Sequence, residues 1–161
     1  MDGIHLNIAR ISGGTKTGTV PDYAECDFDL RVDTWESAEK AETFLKGVAQ
    51  EQKKEGVACV ITGGISHPPF ERQPQIEPLI DLLKGCGEQL GLPLKAVHCG
   101  GASDASFTAE VGTPTLCGLA PVGNLYHTEE EFLDLSTVVP RISLNALFII
   151  EVCRQGTQGV E

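Results

Sequence analysis

The sequence predicts an α/β protein in two parts, an antiparallel α+β portion followed by an α/β portion. Apolar and polar residues alternate over 4–11 and again over 23–32, which is typical of half-buried strands. Three later segments instead carry apolar residues at helical spacing, namely 34–50, 75–90 and 137–154. Two strands followed by a helix favour a small antiparallel layer, whereas the later mixture favours an α/β layer.

The first two strands are predicted to have one core face and one wet face. In the first, Ile4 and Ile8 alternate with polar residues that include His5, and the strand ends at the turn around Gly13. In the second, Phe28 and its apolar neighbours lie opposite a face of acids that also carries Arg31. Arginine could bind a substrate carboxylate there, although pairing across the strands with the acids is the simpler interpretation.

The helix that follows begins after Thr34, which is a good N-cap, and Gly56 is expected to end the segment. Residues 57–62 then predict a buried strand, so the first part becomes a sheet with an open edge. Residues 63–75 contain two glycines and three prolines, which interrupt both the strand alternation and the helical spacing of apolar residues. We therefore expect one domain over 1–66 and another over 67–161.

The second part concentrates its unusual residues between Val97 and Leu133. A strand ending at Val97 leads to the Gly100-Gly101 turn, then to a short helix capped by Ser103 or Asp104 and stopped by Gly112, and then to another strand. Turn residues, among them Gly123, precede His127 and the acids Glu129, Glu130 and Glu131. Taken singly, these features indicate a tight turn, an N-cap, a surface histidine and a solvated acidic run.

The last helix, from about Thr137 to Arg154, is predicted to be capped by Ser136 and tolerates Pro140 in its first turn. It is apolar around most of its girth and therefore needs cover on both sides.

Composition narrows the class of partner. The formal charge of −11 and pI near 4.7 argue against nucleic acid and anionic membranes. We find no apolar run of the ~18 residues that a membrane span needs and no leader pattern, so a cytoplasmic location is expected. The six cysteines occur singly and predict reduced, buried thiols.

Three motifs in order resemble one enzyme family. They are SGGTKTGTVPDYAECDFDLRV, then GGASDASF with GTPTL, and then YHTEEEFLDLS leading into a helix. This arrangement resembles the C-terminal part of the zinc-dependent family that contains acetylornithine deacetylase, succinyl-diaminopimelate desuccinylase, peptidase T and bacterial glutamate carboxypeptidase, with the last the most similar. The resemblance implies part of a lid or dimerisation domain, followed by the end of a phosphorylase/hydrolase-like catalytic domain.

The resemblance also implies roles for particular residues. His127 corresponds to the C-terminal metal ligand and Glu131 to the acid that follows it. The residues that correspond to the substrate pocket, or that could reach it, are Gly100, Gly101, Ser103, Asp104, Gly123 and Arg31. The reaction implied is hydrolysis of an amide next to a carboxylate, in an N-acyl amino acid or small peptide, by two zinc ions.

The other metal ligands and the glutamate base of this family lie in an N-terminal segment that has no counterpart here. We therefore expect this chain alone to be inactive and to need an N-terminal half or a companion chain, and we expect a homodimer through the lid strands. Two other hypotheses stay open: a non-enzymatic dimerisation module, and an unrelated α/β domain that binds an anion at the Gly100–Asp104 turn.

Two departures from the family pattern concern the substrate. Gly18 or Thr19 stands where relatives usually carry an asparagine that reaches the substrate from the lid. His67 stands in the segment where relatives often carry an arginine for the substrate carboxylate. A neutral imidazole is a poor substitute for a bidentate guanidinium.

Overall fold

The computed structural model describes residues 3–51 and 54–157, and the chain divides into two compact units. Unit 1 comprises Met1–Glu71 and Gly100–Glu110, and unit 2 comprises Arg72–Cys99 and Val111–Glu161. Helices and small antiparallel sheets occur together, which confirms the mixed α/β class. The domain boundary expected after residue 66 stays a prediction.

Unit 1 is built on an antiparallel pair of strands, β1 (Ile4–Gly13) and β2 (Ala24–Val32). Ile4 lies opposite Val32 and Gly13 lies opposite Ala24, with an irregularity in register between Ile8 and Arg10. A Cβ on Gly13 would lie 2.7 Å from that of Ala24, so only glycine fits this end of the ladder. The two predicted strands are therefore confirmed.

Helix α1 (Trp35–Gln50) contacts both strands and buries its small residues, Ser37, Ala38 and Ala41. Its start is the predicted one, because Thr34 Oγ1 accepts a hydrogen bond from the Ser37 N–H at 3.1 Å. In β2 the apolar residues Phe28, Leu30 and Val32 are half-buried, whereas Leu6 and Ile8 of β1 are 52% and 54% exposed. The predicted division into an apolar face towards the core and a polar face towards solvent is thus present in β2 and weak in β1.

The other predicted strands are wrong for the described part of the chain. Residues 57–62, 95–97 and the segment after Gly112 form no strand there. Their apolar side chains are open to solvent, with Val60 81% and Val97 73% exposed. A strand exists only when a neighbour takes its backbone hydrogen bonds, and the described residues supply no such neighbour to these segments.

Unit 2 consists mainly of two helices, α2 (Glu77–Gln89) and α4 (Val138–Thr157), which pack on each other. A 3-10 turn over Pro74–Ile76 precedes α2. Its core is small and contains Ile80, Cys86 and the fully buried Leu144. After α2 the chain turns back tightly, since a Cβ on Gly87 would lie 2.5 Å from the Leu92 carbonyl oxygen. Between these helices in sequence lie α3 (Ala105–Glu110), which belongs to unit 1, and a two-residue ladder of β3 (Gly123–Asn124) and β4 (Phe132–Leu133).

The start of α4 corrects the sequence expectation about its cap. A 3-10 turn over Leu135–Thr137 precedes the helix, and the Asp134 carboxylate accepts hydrogen bonds from the Ser136 N–H at 2.9 Å and the Ser136 hydroxyl at 2.6 Å. Asp134 is therefore the capping residue and Ser136 is its donor. A carboxylate also suits this end of a helix because it faces the positive end of the dipole.

Much of the apolar surface of α4 is exposed within this chain. Val139, Ile142 and Ile149 are 70%, 60% and 61% exposed. By length and mean hydropathy alone, the segment Leu135–Gly156 is also apolar enough to cross a membrane, so the expectation of no such segment is wrong by that criterion. Core helices of globular proteins meet the same criterion, and α4 packs against α2, although only 6% of the apolar window is buried in the described chain.

The six cysteines, all among the described residues, are thiols outside any disulfide, as predicted, but five of the six are exposed. Only Cys86 is buried, and its burial raises the pKa of the thiol. The prediction of buried thiols is therefore wrong for Cys26, Cys59, Cys99, Cys117 and Cys153.

Candidate functional site

His127 lies in a loop that is closed at its base by the β3–β4 ladder. Gly123 pairs with Leu133 and Asn124 pairs with Phe132. A Cβ on Gly123 would lie 2.7 Å from the Phe132 carbonyl oxygen, so the ladder requires glycine at this position. The predicted role of Gly123 in substrate binding stays a prediction, and the structure gives it a role in closing this loop.

The loop holds His127 in a left-handed conformation with φ 67°, next but one to Leu125 at φ 59°. Such angles are uncommon outside glycine and persist only where the surroundings fix them. Here the His127 N–H donates to Glu131 Oε2 at 3.0 Å, while Thr128 donates to the Leu125 carbonyl through its hydroxyl at 2.7 Å and its N–H at 3.2 Å. The imidazole itself is exposed and accessible to a ligand.

Glu131 is therefore connected to His127 through the backbone. Its carboxylate accepts the main-chain N–H of His127, and its own N–H donates to the Thr128 carbonyl at 3.2 Å. A carboxylate in this place fixes the turn that presents the imidazole. The resemblance places Glu131 close to His127 in sequence, but the spacing of the two residues does not predict the hydrogen bond from the His127 N–H to the Glu131 carboxylate.

Unit 1 brings together several of the other predicted residues. Arg31 Nη1 donates to the Gly100 carbonyl oxygen at 3.1 Å, and Arg31 Nε donates to Asp29 Oδ2 at 2.8 Å. The acid that pairs with Arg31 is thus two residues away on the same strand. Arg31 and the Gly100 loop, named separately from the sequence, are in contact.

His67 joins the same group of residues. Its Nε2 lies 3.6 Å from Asp104 Oδ1, its Nδ1 lies 3.3 Å from the Ser66 hydroxyl, and its ring centroid is 5.0 Å from that of Phe107. From the sequence, His67 is only a poor substitute for an arginine that would bind the substrate carboxylate. A histidine in a proline-rich loop carries no pattern that predicts these contacts.

The remaining predicted residues of the loop have simpler places. Ser103 Oγ accepts a hydrogen bond from the Ala105 N–H at 3.2 Å, so Ser103, rather than Asp104, is the cap of α3. Gly101 is exposed. Arg31, Gly100, Gly101, Ser103 and Asp104 thus lie in unit 1, and Gly123, His127 and Glu131 in unit 2.

A zinc site requires three or four protein ligands. Within residues 3–51 and 54–157, no group of three or more His, Cys, Asp or Glu side chains is arranged to hold a metal ion. His127 is accessible and chemically suited to zinc, but it offers one ligand. The described residues therefore do not make up a complete metal site.

Comparison with known proteins finds a family match for the first part of the chain. Residues 1–57 match the family model described as the peptidase dimerisation domain. These matched residues are called the dimerisation domain below. The strands β1 and β2 and helix α1 lie within it, and the predicted resemblance to the zinc metallopeptidase family is confirmed.

Two curated relatives match nearly the whole chain. The uncharacterized protein YqjE of Bacillus subtilis (strain 168) is 26% identical over 149 residues, which cover 92% of this chain and 40% of that protein. Carboxypeptidase G2 of Pseudomonas sp. (strain RS-16) is 26% identical over 156 residues, which cover 92% of this chain and 36% of that enzyme. The chain thus spans about two fifths of the length of these relatives.

Two solved structures share the fold. Aminopeptidase PepT from Bacillus cereus ATCC 10987 superposes with a TM-score of 0.77 at 23% identity, covering 95% of this chain and 41% of that one. A tripeptidase from Staphylococcus aureus subsp. aureus Mu50 superposes with a TM-score of 0.78 at 21% identity, covering 94% of this chain and 40% of that one. The similarity extends beyond the dimerisation domain into the segment that carries His127.

Proposed function

We propose that this chain supplies the dimerisation domain and the C-terminal metal ligand of a zinc-dependent metallopeptidase or amidohydrolase. One observation carries the proposal: the similarity to carboxypeptidase G2 covers 92% of the chain, so it includes both the dimerisation domain and the His127 loop. A dimerisation module without any catalytic part would not require an exposed histidine in a loop fixed as closely as this one.

The proposed contribution of this chain to the metal site is the His127 imidazole. The left-handed backbone and the Glu131 contact hold the main chain from which this side chain projects before any metal arrives. Pre-arranged ligands bind more tightly because little ordering remains to be done. The other ligands and the general base belong, in this proposal, to an N-terminal half or a companion chain.

The proposed substrates are N-acyl amino acids or small peptides in which the scissile amide lies next to a carboxylate. This class is taken from the resemblance to the family and from the name of the carboxypeptidase relative. The Gly100–Asp104 loop is proposed to line the pocket, where its backbone N–H groups could contact an anionic substrate.

The dimerisation domain is proposed to form a homodimer through β1 or β2. The two strands form a two-stranded sheet in the described chain, so each has one edge that pairs with no other strand there. Sedimentation velocity over micromolar concentrations should show a dimer. A monomer throughout that range would reject this part of the proposal.

The proposal is tested by complementation. The purified chain should bind zinc weakly and leave N-acyl amino acids intact. One histidine does not hold the ion, and in this proposal the general base lies outside the chain. Addition of a matching N-terminal segment should restore chelator-sensitive hydrolysis, and the same mixture made with His127→Ala should not.

Each outcome has a defined meaning. Chelator-sensitive hydrolysis by the chain alone would contradict the proposed division of the site. A restored dimer that binds no zinc and has no activity would favour the dimerisation module instead.

A further inference from the structure

Arg31 has contacts in the structure that differ from the role in substrate binding suggested for it by the sequence. A guanidinium that binds a substrate carboxylate should present two neighbouring N–H groups to open space. In this chain Arg31 Nε already donates to Asp29 Oδ2 at 2.8 Å and Nη1 already donates to the Gly100 carbonyl at 3.1 Å. A guanidinium faces a carboxylate either with Nε and Nη2 or with Nη1 and Nη2, and in Arg31 one nitrogen of each of these pairs already donates to a protein oxygen.

The contact with Gly100 connects positions 69 residues apart in sequence. Gly100 begins the segment Gly100–Glu110, which is compact with the dimerisation domain although it follows residues of unit 2. A Cβ on Gly100 would meet nothing within 4 Å, so the chain is open on that side of the glycine. The hydrogen bond from Arg31 is the contact with unit 1 that the structure gives to the Gly100 carbonyl.

A second contact holds the same segment four residues later. His67 Nε2 lies 3.6 Å from Asp104 Oδ1, and the His67 ring packs against Phe107 at a centroid distance of 5.0 Å. Ser106 and Ala109, on α3, are buried at 2% and 7% exposure. The segment is thus anchored by Arg31 at its start and by His67 and apolar packing beyond it.

We infer that Arg31 is a positioning residue that holds the Gly100–Asp104 loop on the dimerisation domain through the Gly100 carbonyl, and that it does not bind the substrate carboxylate. The inference rests on the proposed function in so far as this loop lines the pocket. The anchoring itself rests on the contacts of unit 1 and can be tested without substrate.

Hydrogen–deuterium exchange on the whole chain measures the anchoring directly. In Arg31→Gln the amides of 100–110 should exchange about three- to tenfold faster, since the loss of a charge-assisted hydrogen bond favours local opening. In Arg31→Lys the exchange rate of 100–110 should lie between those of the unaltered chain and Arg31→Gln. Lysine keeps the positive charge but lacks the planar guanidinium that reaches both partners. The strands β1 and β2 should exchange as in the unaltered chain.

Arg10→Gln is the matched control. Arg10 Nε donates to Asp27 Oδ2 at 2.8 Å across the same sheet, and its Nη2 lies 3.8 Å from Glu25 Oε1, so it is an exposed arginine paired with strand acids like Arg31 but placed at another position of the sheet. This variant should leave exchange of 100–110 unchanged. Equal exchange of that segment in Arg31→Gln and Arg10→Gln, or faster exchange across the whole of unit 1 in Arg31→Gln, would overturn the inference.

The fate of the proposed function is measured separately. A loss of anchoring in Arg31→Gln combined with no activity in the complementation experiment would retain the inference and reject the enzyme. Unchanged exchange combined with restored activity would reject the inference and retain the enzyme.

Discussion

The two loops that carry the candidate site residues are held in opposite ways. The loop that presents His127 is closed by contacts between residues near in sequence, among them the pairing of Gly123 with Leu133 and the hydrogen bond from the His127 N–H to Glu131. The Gly100–Asp104 loop depends on Arg31 and His67, which are distant in sequence. Local closure makes the geometry of the first loop a property of its own residues, whereas the second loop is held by residues of unit 1 that are distant in sequence.

This difference separates two tasks of a site. A metal ligand must be directed within a few tenths of an ångström, and a locally closed turn provides that without reference to the rest of the fold. A segment that contacts substrate gains from being carried by another domain, because domain movement then changes its position. Predictions about the two loops therefore differ in size and in where their effects appear.

The largest expected effect tests the chemical role of the locally closed loop. In a complete enzyme, His127→Ala should lose one metal ion and reduce turnover by at least about a hundredfold, with the fold unchanged. Metal content and kcat are the measurements. His127→Asn should behave in the same way, because asparagine accepts left-handed backbone angles and so separates loss of the imidazole from strain.

His5→Ala is the control for this prediction. His5 is an exposed histidine on β1, outside both loops. It should retain nearly full metal content and turnover. Wild-type activity in His127→Ala would show that the resemblance is misleading at this residue.

The second prediction tests the closure of the same loop. Glu131→Gln replaces the charged acceptor of the His127 N–H by a weaker neutral one, so amides in 125–131 should exchange severalfold faster. Glu129→Gln changes the same charge nearby and should leave this exchange as it is. A change that extended into 100–110 would contradict the local character of the closure.

The third and smallest effect concerns another local contact, at the start of α2. Arg72 donates to both carboxylate oxygens of Glu77, at 2.6 and 2.8 Å, and these hydrogen bonds lower the pKa of the Glu77 carboxyl. A lowered pKa in the folded state means that the contact stabilises the fold above the usual carboxyl pKa of about 4.3 and is lost as the pH falls through the lowered value. Both groups are exposed, so the effect should be slight.

Acid titration of unfolding should reveal this contact. The unfolding midpoint of unit 2 should fall less steeply with acid in Arg72→Gln than in the unaltered chain. Lys46→Gln removes an exposed ion pair from α1 of unit 1 and is the control. An identical acid profile for Arg72→Gln and the unaltered chain would contradict the prediction.

The sequence predicted those features that are decided by neighbouring residues. Thr34 as a cap, the alternation of β2 and the helical spacing around Ile80 and Leu144 all depend on positions a few residues apart. Residues 57–62 were predicted to be a strand from the same kind of pattern, but a strand also needs a neighbour, and periodicity does not say whether one is present.

The candidate site divides in the same manner. His127 and Glu131 could be named from a motif because they lie in one short loop. The contact between Arg31 and Gly100 could not, since nothing in a local pattern reports which residues distant in sequence meet. Ser136 was the predicted cap, but Asp134, two residues earlier, is the residue that accepts the hydrogen bond. Both residue types are good caps, and only the backbone geometry distinguishes the two positions.

The single tryptophan of the chain has a practical consequence for following the two units. Trp35 opens α1, is 43% exposed, and donates its backbone N–H to Glu71 Oε1 at 2.6 Å, entirely within unit 1. Tryptophan emission therefore reports on the dimerisation domain and is silent about the segment that carries His127. Helical circular dichroism sums α1 of unit 1 with α2 and α4 of unit 2. If the units unfold independently, the part of the dichroism melting curve that tryptophan fluorescence does not follow would report on the unit that carries His127.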